Sequence, residues 1–109
     1  MTTTLLNLGQ AAPSAVTATD LYTVPSATSA VVSSIIIANR SATPDKFRVS
    51  IRVAGAGATN KQYLYYDTAI AGNDTFIATV GITLATTDVI TVYSTNGTLS
   101  FNLSGQQNS

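Results

Sequence analysis

From Lys46 to Val53, apolar and polar side chains alternate without a break. Phe47, Val49, Ile51 and Val53 fall on one parity, and Lys46, Arg48, Ser50 and Arg52 fall on the other. Successive side chains of a strand point to opposite faces, so this stretch predicts a strand with one face on a core and one in water. A helix, with its period of 3.6, would mix the two sets around its circumference. Three of the five positive charges of the chain gather on the polar stripe.

The same pattern recurs along the chain. Leu21 to Val24 predicts a short strand closed by Pro25. Ala30 to Asn39 is apolar on both parities, with Val32 and Ile36 on one and Val31, Ile35 and Ile37 on the other; such a run suits a central strand buried on two sides. Pro44 and Asp45 close a turn cluster beginning at Ser41. Gly55, Ala56 and Gly57 open a flexible loop that runs to Asn60. Gln62 to Asp67 is a tyrosine-rich strand whose period places Tyr63 and Tyr65 on one face and Leu64 and Tyr66 on the other. After a turn at Gly72–Asn73–Asp74 come Phe76, Ala78, Val80, Ile82 and Leu84 on one parity, opposed mainly by Thr75, Thr79 and Thr83, with Gly81 marking a bulge or bend. Val89 to Tyr93 and Leu99 to Leu103 flank Asn96–Gly97, the preferred dipeptide of a type I′ hairpin turn.

Composition agrees. All five acids are Asp (Asp20, Asp45, Asp67, Asp74, Asp88), and the absence of Glu, a good helix former, argues against long helices. The expected fold is all-β: an antiparallel β-sandwich, jelly-roll or Ig-like, of about seven to eight strands. Within the 109 residues, 1–18 are expected as an N-terminal arm carrying Leu5, Leu6 and Leu8, 19–105 as the sandwich, and 106–109 as a flexible tail. Charged residues are 9% of the chain against about 25% in an ordinary soluble domain. With a net charge of zero there is little repulsion between copies, so much of the surface is expected to be covered in the working state.

The residue inventory argues against an enzyme. His and Cys are both absent, which removes the commonest general base, the thiolate nucleophile and the usual zinc ligands. The Asp residues fall mainly beside turns, where they bond local backbone, so no cofactor or metal is expected. Gly55–Ala56–Gly57 lacks the Lys-Ser/Thr and the helix that a phosphate loop requires. No stretch is long enough for a membrane span, and the first residues lack the basic and apolar regions of a signal peptide. Three stripe charges on a neutral domain make a weak footprint for nucleic acid. Contact with a partner protein is the better expectation. The candidate contact residues are Leu5, Leu6 and Leu8 of the arm, Lys46, Arg48 and Arg52 of the stripe, and Tyr63 and Tyr65, since tyrosine supplies rigid area with a polar tip.

Several phrases of the sequence resemble small virion proteins of tailed bacteriophages of the marine and cyanophage type. They are Tyr22–Thr–Val–Pro25, the run from Val31 to Arg40, Phe47 to Arg52, Tyr65 to Phe76, Gly81 to Leu84, and Asp88 to Tyr93. The resemblance spans about residues 21 to 104 and carries no catalytic signature. It implies a β-sandwich located in the virion, associated with copies of itself as a homotrimer and attached to the major capsid protein or another virion protein. A capsid decoration (cement) protein is the first expectation. A tail, neck or fibre component touching a host receptor or glycan is the second, and a carbohydrate-binding module on the same fold the third, weakened by the absence of Trp.

Overall fold

The computed structural model describes residues 2–109. It contains eight strands: β1 (Thr3–Ala11), β2 (Thr19–Thr23), β3 (Ser29–Asn39), β4 (Asp45–Arg52), β5 (Tyr63–Ile70), β6 (Thr75–Leu84), β7 (Val89–Ser94) and β8 (Leu99–Asn108). Single 3₁₀ turns at Val53–Gly55 and Asn60–Gln62 interrupt the connection from β4 to β5. The strands form two four-stranded sheets, ordered β1-β8-β3-β6 (sheet I) and β2-β7-β4-β5 (sheet II), with every pairing antiparallel. Only β4 and β5 are neighbours both in sequence and in a sheet; every other connection crosses between the layers. This interleaved order is that of a jelly roll, which decides between the two expected sandwich topologies.

The core lies between the sheets. Sheet I contributes Val32, Ile35, Ile37, Leu99, Phe101 and Leu103 among others, and sheet II contributes Leu21, Phe47, Val49, Ile90 and Val92. Phe47 stacks at a tilt on Phe76, with centroids 5.0 Å apart, and Tyr65 closes the group at 5.3 Å from Phe76. Large apolar side chains meeting across two facing sheets supply most of the driving force, at about 1.5–3 kcal/mol for each one fully buried.

Irregularities line up across sheet I. The register slips at Leu8 of β1, at Ser33 of β3 against both neighbours, and at Val80–Gly81 of β6. Gly81 therefore marks a bulge, as its place in the sequence suggested. At Ser33 the parity of β3 reverses: Ala30 and Val32 point to the core on one side of the slip, Ile35 and Ile37 on the other. The apolar residues of both sequence parities therefore mostly share one face. Val31 and Ile36 are left pointing outward and half-buried, so the expected burial on two sides is not completed within this chain.

Three further expectations change. Most of the arm, residues 3–11, is β1, an edge strand hydrogen-bonded to β8. The tail is likewise strand up to Asn108, whose partner is Thr3. Alternation over residues 3–11 is broken by the bulge at Leu8, and this hides the strand in the sequence. Asn96–Gly97 is no hairpin, because β7 belongs to sheet II and β8 to sheet I. Gly97 does adopt positive φ (74°), but Asn96 does not, and type I′ needs both. The turn instead wraps the buried Asp45 carboxylate at the start of β4. Asp45 Oδ1 accepts from the backbone N–H groups of Lys46 (2.7 Å) and Asn96 (2.9 Å), and Oδ2 accepts from the Ser94 hydroxyl (2.7 Å). The Thr98 hydroxyl stands 3.0 Å from Asp45 Oδ2 and 3.0 Å from Asn39 Oδ1. These bonds redirect the chain across the sandwich, where Leu99 pairs with Asn39.

Candidate interaction faces

The two outer faces of the sandwich differ in chemistry. None of the residues of β1, β3, β6 or β8 is charged. Asp20, Asp45, Lys46, Arg48, Arg52 and Asp67 all lie in strands of sheet II, and Arg40, Lys61, Asp74 and Asp88 lie in connections. An exposed sheet face ordinarily keeps Lys, Glu or Asp for solubility and to discourage association. Sheet I keeps none.

Paired residues define rows across its outer surface. One is Gln10–Asn102–Ile36–Ile77, with the Gln10 amide donating to Asn102 Oδ1 at 2.7 Å; another is Leu5–Gln106–Val31–Thr83. Leu5 is 78% exposed and Ile77 65%. Of the three leucines picked out in the sequence, Leu5 is on this open face, Leu6 is partly exposed on the edge strand, and Leu8 is in the core.

Sheet II presents the charged face. The alternation holds within β4, with Phe47 and Val49 buried and Lys46, Arg48 and Arg52 on the outer side, but Ser50 on that side is only 7% exposed, and Val53, expected on the core face, lies past the strand in a 3₁₀ turn and is 65% exposed. Arg48 and Arg52, however, are not free cations. Arg48 donates from Nε (2.7 Å) and Nη2 (3.3 Å) to the two oxygens of Asp67, and its guanidinium lies between the Tyr66 and Tyr93 rings, 4.3 and 4.4 Å from their centroids. The hydrogen bond from Arg48 holds the Asp67 carboxyl below the usual carboxylate range, and the same bond raises Arg48 above its ordinary value. Arg52 donates to Asp20 Oδ1 (2.9 Å), to the Thr91 hydroxyl (3.1 Å) and to the carbonyls of Gly55 and Ala56 (both 3.2 Å). The two arginines of a stripe that alternation marks as basic are thus neutralised by acids from β5 and β2, while Lys46 stays exposed.

The tyrosines are placed by two bulges. The pairs Phe47–Thr68, Val49–Tyr65 and Ser50–Tyr63 are out of step with one another, so Leu64 is one extra residue in β5 and the Tyr66–Asp67 pair contains another. Asp67 sits there in the left-handed region (φ 50°), which Asp tolerates better than most residues. As a result Tyr65 turns inward onto Phe47 and Phe76, while Tyr63 and Tyr66 share the outer face with rings in edge contact at 4.8 Å. Of the two tyrosines expected as contacts, Tyr63 is on the surface and Tyr65 lines the core. Strict period two had paired the wrong ones.

Between these groups runs a cleft of about 400 Å³, whose lining includes Asp20, Arg48, Ser50, Tyr63, Thr91 and Tyr93. The row Asp20–Thr91–Ser50–Tyr63 crosses its floor. Thr91 and Tyr93 were legible as outward, since they alternate with Ile90 and Val92; Tyr66 and Asp67 were not, because no residue type announces the double slip. A scan against models of protein families and a search of curated proteins found no match to this chain.

Proposed function

We propose that this chain is a structural protein of a tailed-phage virion, a capsid decoration protein that binds the head surface and links neighbouring capsid subunits through the outer face of sheet I. The observation that carries the proposal is the charge-free sheet. β3 has the composition of a strand covered on both sides, and the chain itself covers only one. Four strands about 4.8 Å apart and roughly 30 Å long present about 600 Å² in projection, close to one partner's share of a standard interface. Interface centres are depleted in charge, and Thr, Ser, Asn and Gln satisfy hydrogen bonds across a contact without desolvating an ion.

The phage resemblance in the sequence names the partner: the major capsid protein, with copies of this chain associating as a homotrimer. Repetition over a particle multiplies modest individual contacts through avidity. The exposed Leu5 at the edge of the face, and not the neutralised arginine stripe, is the part of the expected contact set that belongs to this surface. A jelly roll is common in viral shells, but fold likeness alone assigns no function.

Immunogold labelling of the intact phage with antibody against the chain tests the proposal. Label spread over the head is expected. Label confined to the tail or neck replaces the decoration reading with a tail or neck component.

A further inference from the structure

We propose that the cleft on the outer face of sheet II is a binding site for a neutral saccharide. The inference is independent of where the chain sits in a particle, because the cleft opens on the side of the sandwich away from sheet I.

Its chemistry is set by which groups are spent and which remain. Arg52 uses its Nε and both terminal nitrogens on Asp20, Thr91 and backbone carbonyls, so it is a strut and not a ligand. Arg48 is fixed between two rings and bonded to Asp67 through Nε and Nη2, which leaves Nη1 free. The Thr91 hydroxyl donates to Asp20 Oδ1 at 3.1 Å, so the second oxygen of Asp20 remains an open acceptor. Ser50 is only 7% exposed, yet every fully buried polar side-chain atom among the described residues has a partner. Its hydroxyl makes no hydrogen bond to the described residues and lines the cleft floor. The cleft therefore offers a carboxylate acceptor, a guanidinium donor and a hydroxyl that does either.

That set fits vicinal hydroxyls, each of which donates and accepts. The aromatic walls fit the other half of a sugar, its C–H faces. Tyr63 borders the cleft and meets the 56% exposed ring of Tyr66 edge-on at 82°, so the two rings form a corner beside the cleft rather than one flat platform. Charge excludes the alternatives. Two arginines and two aspartates cancel, so an anionic ligand meets Asp20 and a cationic one meets Arg48 without net attraction, and a neutral polyol carries no such penalty. The volume of about 400 Å³ suits one or two sugar rings.

The test is an array of immobilised glycans with neutral hexose, N-acetylhexosamine and deoxyhexose termini alongside sialylated and sulfated ones, probed with the labelled full chain. Each hit is then titrated by ¹H–¹⁵N NMR. Neutral glycans are expected to bind, moving the amides of Ser50, Tyr63, Thr91 and Tyr93 together. Ser50→Val and Tyr63→Ala are each expected to weaken binding about tenfold, the loss of one hydrogen bond or one ring contact. Tyr66→Phe, which keeps the ring against Arg48 and Tyr63 and removes only the exposed hydroxyl, is the second variant, checked for folding by its NMR spectrum, that keeps the aromatic corner testable if Tyr63→Ala perturbs β5. No binding to any neutral glycan overturns the proposal. So does binding confined to acidic glycans, or binding unaffected by all three substitutions in folded protein.

Discussion

Asp45 makes four hydrogen bonds while only 3% exposed, and three of its donors come from Ser94, Asn96 and Thr98 in the turn that carries the chain from sheet II to sheet I. Asp45→Ala leaves the N–H groups of Lys46 and Asn96 and the Ser94 hydroxyl proton without their acceptor. Each such loss costs about 1–3 kcal/mol, softened by water entering the vacated space. A total of about 3–5 kcal/mol is expected, a large part of the roughly 5–15 kcal/mol that holds a domain together. Asp45→Asn keeps the shape and one acceptor oxygen but loses the charge, for about 2 kcal/mol. Burial raises the Asp45 carboxyl, and its hydrogen bonds more than offset this, so its value in the fold is lowered. A lowered folded value means that the unfolded chain takes up the proton first as pH falls. The stabilisation is therefore complete above the unfolded value of about 3.9 and is lost as pH drops through the lower folded value. Below that, protonated Asp45 resembles Asn. Urea unfolding followed by far-ultraviolet circular dichroism should then show the wild type and Asp45→Asn separated by about 2 kcal/mol at neutral pH and converging as pH falls below the unfolded carboxylate value of about 3.9. A gap that stays constant with pH, or an Asp45→Ala cost below about 1 kcal/mol, would refute the account of the turn.

A Cβ on Gly9 would collide with the carbonyl oxygen of Leu21, where β1 passes close to β2, so Gly9→Ala should cost about 1–3 kcal/mol in the same urea assay. Val16 holds a left-handed backbone (φ 54°) with its side chain 67% exposed. Val16→Gly relieves that strain and should raise stability by about 0.5–1 kcal/mol after allowing for the more flexible unfolded chain. Ile77 lies near the start of the edge strand β6 on the open face of sheet I, 65% exposed. Ile77→Lys should leave urea stability within about 0.5 kcal/mol and abolish co-sedimentation with phage heads lacking the protein; retained binding moves the contact elsewhere.

How much of this was legible depends on where the backbone stays regular. Most of β4 and the inward set of β6 were read correctly because their alternation survives into the fold, whereas Val53 fell past the end of β4 into an exposed turn. β1 and the tyrosine strand were misread because bulges at Leu8, Leu64 and Tyr66–Asp67 change the parity, and a one-residue slip sends every later side chain to the other face. The Asn96–Gly97 error has a different origin. Local turn preference favoured a hairpin, but the turn's polar groups are held by Asp45, which is remote in sequence, and that tertiary contact decides the path of the chain. Pairing of the arginines was equally out of reach, since Asp20 and Asp67 arrive from different strands.

The separation of charge between the sheets has a physical consequence for assembly. Were the ten charged residues spread over both faces, burying either would require desolvating ions and pairing each one with a partner, a costly and geometry-dependent exchange. Confining them to sheet II and the connections leaves one whole face that can be buried at little electrostatic cost. The internal pairing of Arg48 with Asp67 and Arg52 with Asp20 leaves the charged face little net field with which to capture a macromolecule, which is why the proposed docking is assigned to sheet I. The bulges crossing sheet I strengthen the case, because they bend and twist the edge strands β1 and β6 and so discourage open-ended strand addition at the sheet margins. Under the proposed function this favours contact through the face over contact through the edges, and a face contact on a closed particle saturates where an edge contact would propagate.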